Sequence, residues 1–162
     1  MAALPLVFKA NNTYLLPQAF AEGCPLHPSY PAGHATVAGA CSALLKAFFD
    51  ETGLVTECFT PSADGLSLMP YESSALTVGG EVNKLAMNIA IGRDFAGIHY
   101  RSDAMAGFRL GEDVAIAMMQ DLVAVFTEDF AGFQFTRMDG TPVQNLTADE
   151  SAGKQIVDPW DL

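Results

Sequence analysis

Positive charge is scarce in this sequence: 8 Lys and Arg stand against 19 Asp and Glu, for a net charge of −11. Nucleic acids and anionic membranes are held by clustered cations, so this balance disfavours both as partners. A site for a small anion has to be locally positive against that background. Cysteine is scarce too, and odd in number. Cys24, Cys41 and Cys58 form no CxxC pair, which excludes a disulfide framework or a zinc site and leaves free, mostly buried thiols as the expectation. No apolar run approaches the length of a membrane span, and residues 1–6 lack the basic start and long apolar core of an export leader.

Charged residues of both signs make up only 17% of the chain, against 50% hydrophobic. That composition excludes disorder and implies a packed globule whose surface is partly covered by something else, either a second copy or a covalent neighbour. The 162 residues fit one domain, which at this size buries roughly two thirds of the surface of its unfolded chain.

Residues 17–33 carry Pro17, Pro25, Pro28 and Pro31 with Gly23 and Gly33, which is turn chemistry with stiff φ angles. Residues 34–50 are small or apolar (Ala35, Val37, Ala38, Ala40, Leu44, Leu45, Phe48) and predict a buried helix about 25 Å long. Residues 60–80 are polar with Gly and Pro and predict a long surface excursion. A second helix is expected over residues 81–95, with Val82, Leu85, Ala86 and Ile89 inward and Glu81 one turn from Lys84. A third is expected to be capped by Ser102, its apolar positions being Phe108, Leu110, Val114, Ile116, Met118, Leu122 and Val125. Alternation at Phe133 to Thr136, the Asp139-Gly140 turn signal and Val143 predict a small hairpin. The fold class is therefore mainly α, a helical bundle with a small C-terminal β-hairpin.

The chain has 3 histidines, all in two short motifs: His27 and His34 in HPSYPAGH, and His99 in GRDFAGIHYRSD. Gly33 and His34 stand where a rigid loop enters a helix, whose first amides lack intrahelical partners and so present donors and a positive dipole end to an anion. Arg93 offers a guanidinium fork suited to tetrahedral oxyanions. His99 is a candidate ligand or nucleophile, with Asp103 one helical turn later to fix its tautomer. Together these residues point to a phosphate-like anion gripped by Arg93 and helix amides, ligated or attacked by His99, with His34 moving protons.

The two motifs, in this order, resemble signatures of the type 2 phosphatidic acid phosphatase and vanadium haloperoxidase superfamily. His27 ahead of His34, the stretch LTVGGEVNKLAMNIAIGRDFAGIHY, the LGEDVAI segment and the MDGT turn are more narrowly similar to vanadium bromoperoxidases, over roughly residues 11–145. The resemblance implies vanadate as cofactor, with His99 as its axial ligand. Arg93 and the Gly33 amide would bond vanadate oxygens, and His34 would deprotonate hydrogen peroxide. His27 would be the accompanying histidine of bromoperoxidases. Hydrogen peroxide would then oxidise a halide, bromide first, to hypohalous acid that halogenates organic compounds. An alternative within the superfamily is a phosphatase with His99 as nucleophile, and a third reading is an inactive assembly element.

Two departures from the family pattern stand out. Ala32 occupies a cofactor-binding position where the family has Ser, and losing one hydrogen bond to a charged group costs about 1.5 to 3 kcal/mol, or one to two powers of ten in affinity. The family's first motif, a Lys followed by Arg-Pro, has no counterpart ahead of HPSYPAGH, where Lys9 is the only basic residue. Desolvating vanadate demands several compensating charges, so residues 1–162 are expected to be the C-terminal part of a haloperoxidase domain. The missing cations are then supplied by an upstream segment or a partner chain.

Overall fold

The computed structural model of the chain describes residues 3–15, 22, 25–72 and 74–146. Its described elements run α1 (Ala3–Asn11), α2 (Gly33–Phe48), β1 (Phe59–Pro61), β2 (Leu68–Pro70), α3 (Val78–Phe95), α4 (Arg101–Ala124), β3 (Phe133–Thr136) and β4 (Pro142–Leu146). The helices α2, α3 and α4 form the bundle, with α2 packed on both others. β3 and β4 pair antiparallel beside it, with Phe135 opposite Val143.

Small residues let α2 and α4 approach to backbone contact. A Cβ on Gly39 would lie 2.5 Å from the Phe108 carbonyl oxygen, and one on Gly107 would lie 2.6 Å from that of Ala32. One on Gly111 would overlap the carbonyl of Thr36. Gly107 meets the first turn of α2 and Gly111 the next, so the two helices run in the same direction from the same end of the bundle. Around this contact lies a core of Ala32, Ala35, Ala38, Ala86, Ala90, Ala104 and Phe108. A second cluster, Ala43, Ala115, Met119, Phe135 and Leu146, ties the hairpin to the far ends of α2 and α4.

The side of each helix that is buried differs from expectation. On α2 the buried residues are Ala35, Ala38, Gly39, Ser42, Ala43 and Lys46, while Val37, Leu44, Leu45 and Phe48 are exposed. On α3, Ala86 is buried as expected but Leu85 (61% exposed) and Ile89 are not. On α4, Phe108 is buried, whereas Leu110, Val114, Met118, Leu122 and Val125 face outward. The close approach of the helices selects their Gly and Ala faces and turns the bulky faces away.

Polar groups also enter the interior. Lys46 is 1% exposed, donates to the Thr136 carbonyl at 2.6 Å and lies 3.9 Å from Glu112. Glu112 in turn accepts from the Met138 amide at 2.7 Å and from Arg137 Nε at 3.4 Å. Burial lowers the Lys46 pKa, opposed by the nearby Glu112 and Glu51.

Three local expectations are corrected. The surface excursion over residues 60–80 carries an exposed hairpin of Phe59–Pro61 and Leu68–Pro70, and α3 begins at Val78, ahead of the expected residue 81, where Thr77 accepts from the Gly80 amide at 3.1 Å. The N-cap of α4 is Tyr100, not Ser102. The Tyr100 amide donates to Asp103 Oδ2 at 3.1 Å and the Asp103 amide to the Tyr100 carbonyl at 2.9 Å, while Ser102 donates to Asp103 Oδ1. The thiols are not buried, since Cys41 is exposed and Cys58 half-buried; Cys24 lies outside the described residues. None of the described helices is long and apolar enough to cross a membrane.

Candidate functional site

One end of the bundle gathers the two histidine motifs. Asp103, in the first turn of α4, is the hub. Its carbonyl accepts from the Ala32 amide at 3.0 Å, which ties the entry of α2 to the start of α4. The Ile98 amide donates to the Arg93 carbonyl at 3.1 Å, so the last turn of α3 folds directly into the segment that carries His99.

His99 is 7% exposed and Asp103 5%. Their direct separation, from His99 Nδ1 to Asp103 Oδ2, is 3.5 Å. Between them stands Ser29 of the proline-rich loop, whose Oγ donates to Asp103 Oδ2 at 2.5 Å and lies 3.3 Å from His99 Nδ1. The Ser29 hydroxyl, followed by the Tyr100 amide and the Ser102 and His99 side chains, holds the Asp103 carboxyl below the usual carboxylate range, against a smaller desolvation effect. Ser29 lay inside the first motif, yet sequence reasoning gave it no role. An isolated hydroxyl in a loop has no periodicity to mark it.

Gly33 is the first residue of α2, as expected, and open space surrounds the position of an added Cβ. The N-cap Ala32 makes no side-chain cap hydrogen bond. The first-turn amides thus lack a cap from the Ala32 side chain and, by their position, intrahelical acceptors. Ala32 itself is fully buried in the small-residue core, and its amide is used by Asp103. His34 follows in the first turn and is exposed. Arg93 is largely buried at the end of α3, with Nη2 bonded to Glu22 at 3.0 Å. Its neighbour Asp94 has a buried Oδ1 with no partner among the described residues, and burial raises its pKa. His27 is exposed, its Nδ1 donating to the Pro28 carbonyl at 2.9 Å, and no contact links it to His99.

His99, Asp103 and the α2 entry are therefore brought together by backbone and side-chain links, and Arg93 joins them through its backbone carbonyl while its guanidinium meets Glu22; His34 and His27 are exposed. This donor set suits a tetrahedral oxyanion such as vanadate. It comprises an imidazole held through Nδ1 with Nε2 left over and helix-entry amides without a side-chain cap among the described residues. No cluster of three or more His, Cys, Asp or Glu that could hold a metal ion occurs among the described residues.

Comparison with known proteins gives the same direction. Residues 10–128 match a family model described as the VCPO second helical-bundle domain. The chain is 49% identical over 135 residues to a vanadium-dependent bromoperoxidase of Corallina officinalis, covering 83% of this chain and 22% of that protein. It is 48% identical over 135 residues to the vanadium-dependent bromoperoxidase of Corallina pilulifera, with the same two shares covered. To that of Ascophyllum nodosum it is 42% identical over 152 residues, covering 89% of this chain and 27% of the relative. The chain thus spans about a quarter or less of the length of these relatives.

Proposed function

Because the chain belongs to the vanadium haloperoxidase family through its second helical-bundle domain, we propose that it forms the vanadate-holding part of an enzyme that oxidises bromide with hydrogen peroxide. The hypohalous acid produced would halogenate organic compounds. The observation that carries this reading is the linked cluster of His99, Asp103 and the uncapped entry of α2 at one bundle end.

His99 would ligate the anion through Nε2, the nitrogen not engaged by Ser29 and Asp103. The Gly33 amide and Arg93 would bond its oxygens, Arg93 exchanging its Glu22 contact for the anion. Bound vanadate supplies a Lewis acid that activates hydrogen peroxide toward a halide. His34, exposed in the first turn of α2, would take the peroxide proton. His27, tied to Pro28, would tune the same end from outside these direct contacts.

The remaining cations come, on this reading, from outside residues 1–162, through an upstream segment or a second copy of the chain. The buried oxygen of Asp94, without a partner among the described residues, and the outward bulky faces of α2, α3 and α4 support such a cover. The test is to load the full-length protein with vanadate and follow bromination of an organic acceptor by peroxide and bromide. Turnover should depend on added vanadate and be lost on its removal. Phosphate-ester hydrolysis with no vanadate-dependent bromination would instead establish the phosphatase alternative.

A further inference from the structure

The contact between His99 and Asp103 is the longest side of a triangle. The carboxylate lies 3.5 Å from Nδ1, whereas Ser29 Oγ lies 3.3 Å from Nδ1 and 2.5 Å from Asp103 Oδ2, so the path through the hydroxyl is made of the two shorter contacts. A serine hydroxyl has one proton and two lone pairs. The hydroxyl donates its proton to Asp103 Oδ2, so a lone pair is left toward His99. The imidazole nitrogen facing that lone pair must then be the donor.

We propose that Ser29 is the positioning residue of this site: it relays Asp103 to His99, fixing the proton on Nδ1 and leaving Nε2 unprotonated to ligate the anion. The inference rests on the vanadate-holding function proposed above, but its geometry does not. Although Ser29 belongs to an exposed residue position, its hydroxyl reaches two buried side chains, and it is carried by the loop that leads into Gly33. The relay therefore also ties the loop at the amide end of the anion site to the imidazole that faces it. It adds a side-chain link to the backbone bond between the Ala32 amide and the Asp103 carbonyl.

The experiment compares wild type, Ser29→Ala, Ser29→Thr and Asp103→Asn in the full-length protein, with two readouts. The first is the side-chain 15N spectrum of His99 without vanadate, assigned through His99→Gln, which reports the tautomer independently of any activity. The second is the vanadate dissociation constant by equilibrium dialysis. Wild type should show the Nδ1–H tautomer. Ser29→Ala should shift the spectrum toward a mixture of tautomers and weaken vanadate about tenfold, the effect of roughly one lost hydrogen bond. Ser29→Thr, which keeps the hydroxyl, should restore both. A wild-type spectrum and dissociation constant in Ser29→Ala would overturn the proposal and leave Asp103 as the direct partner. If wild type binds no vanadate, the functional reading fails, and the tautomer comparison alone decides the role of Ser29.

Discussion

The amide of Ala32 donates to the carbonyl of Asp103 at 3.0 Å, and through this one bond the entry of α2 is registered against the residue that Ser29 links to His99. Gly107 makes the bond possible, since a Cβ there would lie 2.6 Å from the Ala32 carbonyl and 2.9 Å from the Ala35 Cβ. Gly107→Ala should therefore both destabilise and misalign. Overpacking of this kind costs about 1 to 3 kcal/mol, and the α2 entry should move away from His99. Thermal unfolding should show a lower midpoint, with vanadate affinity falling in the same variant. A midpoint and affinity equal to wild type would mean that the two helices part without consequence.

The buried polar network predicts an asymmetry. Removing Glu112 leaves Lys46 in the interior without its carboxylate, so Glu112→Ala should cost about 3 to 5 kcal/mol, whereas Lys46→Met combined with Glu112→Leu should recover most of that loss. Urea unfolding of the single and double variants measures both. Recovery would fail if the network were needed as a whole to seat the hairpin.

Lys46 also sets a pH dependence. Its folded pKa is lowered, chiefly by burial and against Glu112 and Glu51, while the unfolded lysine keeps the ordinary value of 10.5. Between those two values the unfolded chain binds more protons, so stability rises with pH through that window and is lost as pH falls through the folded pKa. Relative to Lys46→Met, wild type should gain stability from neutral pH toward pH 10.5. A constant difference between the two proteins across that range would show that Lys46 titrates in the folded state as it does in water.

What the sequence reveals of this fold depends on what each signal measures. The start of α2 at Gly33, the three bundle helices and the Asp139-Gly140 hairpin turn follow from local chemistry, and Gly140 does adopt a positive φ of 85°. Sidedness does not follow, because periodicity ranks side chains by bulk while packing here is decided by Gly39, Gly107 and Gly111, which bring backbones together and bury alanine instead of leucine. The sequence pattern did not announce α1 or the β1–β2 hairpin, whose short strands are exposed throughout. At the site, the motifs single out His99, Asp103 and Gly33 by residue type and spacing, whereas Ser29 meets His99 and Asp103 only through tertiary contacts.

The outward bulky faces carry their own prediction. If Leu44, Leu85 and Leu122 are covered in the full-length protein, replacing each with Gln should cost about 1.5 to 3 kcal/mol, the value of burying such a side chain. A residue truly facing water would change stability by no more than about 0.5 kcal/mol. Chemical unfolding of the three variants separates covered from open faces one helix at a time, and near-neutral results at all three would remove the support these faces give to an upstream or second-copy cover.

The two histidines at the ends of the paired motifs should fail differently. His99 is buried and engaged through Nδ1, so in the proposed role its other nitrogen is a covalent ligand, for which neither the Gly33 amide nor Arg93 can substitute. His99→Ala should abolish vanadate binding altogether. His34 is exposed in the first turn of α2 and in the proposed role only moves a proton, so His34→Ala should bind vanadate nearly as wild type does while bromination falls by about a hundredfold to ten-thousandfold. Ala32→Ser provides the opposite sign. The added hydroxyl sits at the uncapped start of α2, where it should tighten vanadate by up to about tenfold if it reaches the anion; if it caps its own helix instead, the gain should be about 1 kcal/mol of stability with no change in affinity. Equilibrium dialysis, unfolding and bromination assays on these three variants distinguish the outcomes. Loss of vanadate in His34→Ala as complete as in His99→Ala would refute the division into ligand and proton carrier, because a group that only transfers protons contributes nothing to holding the anion.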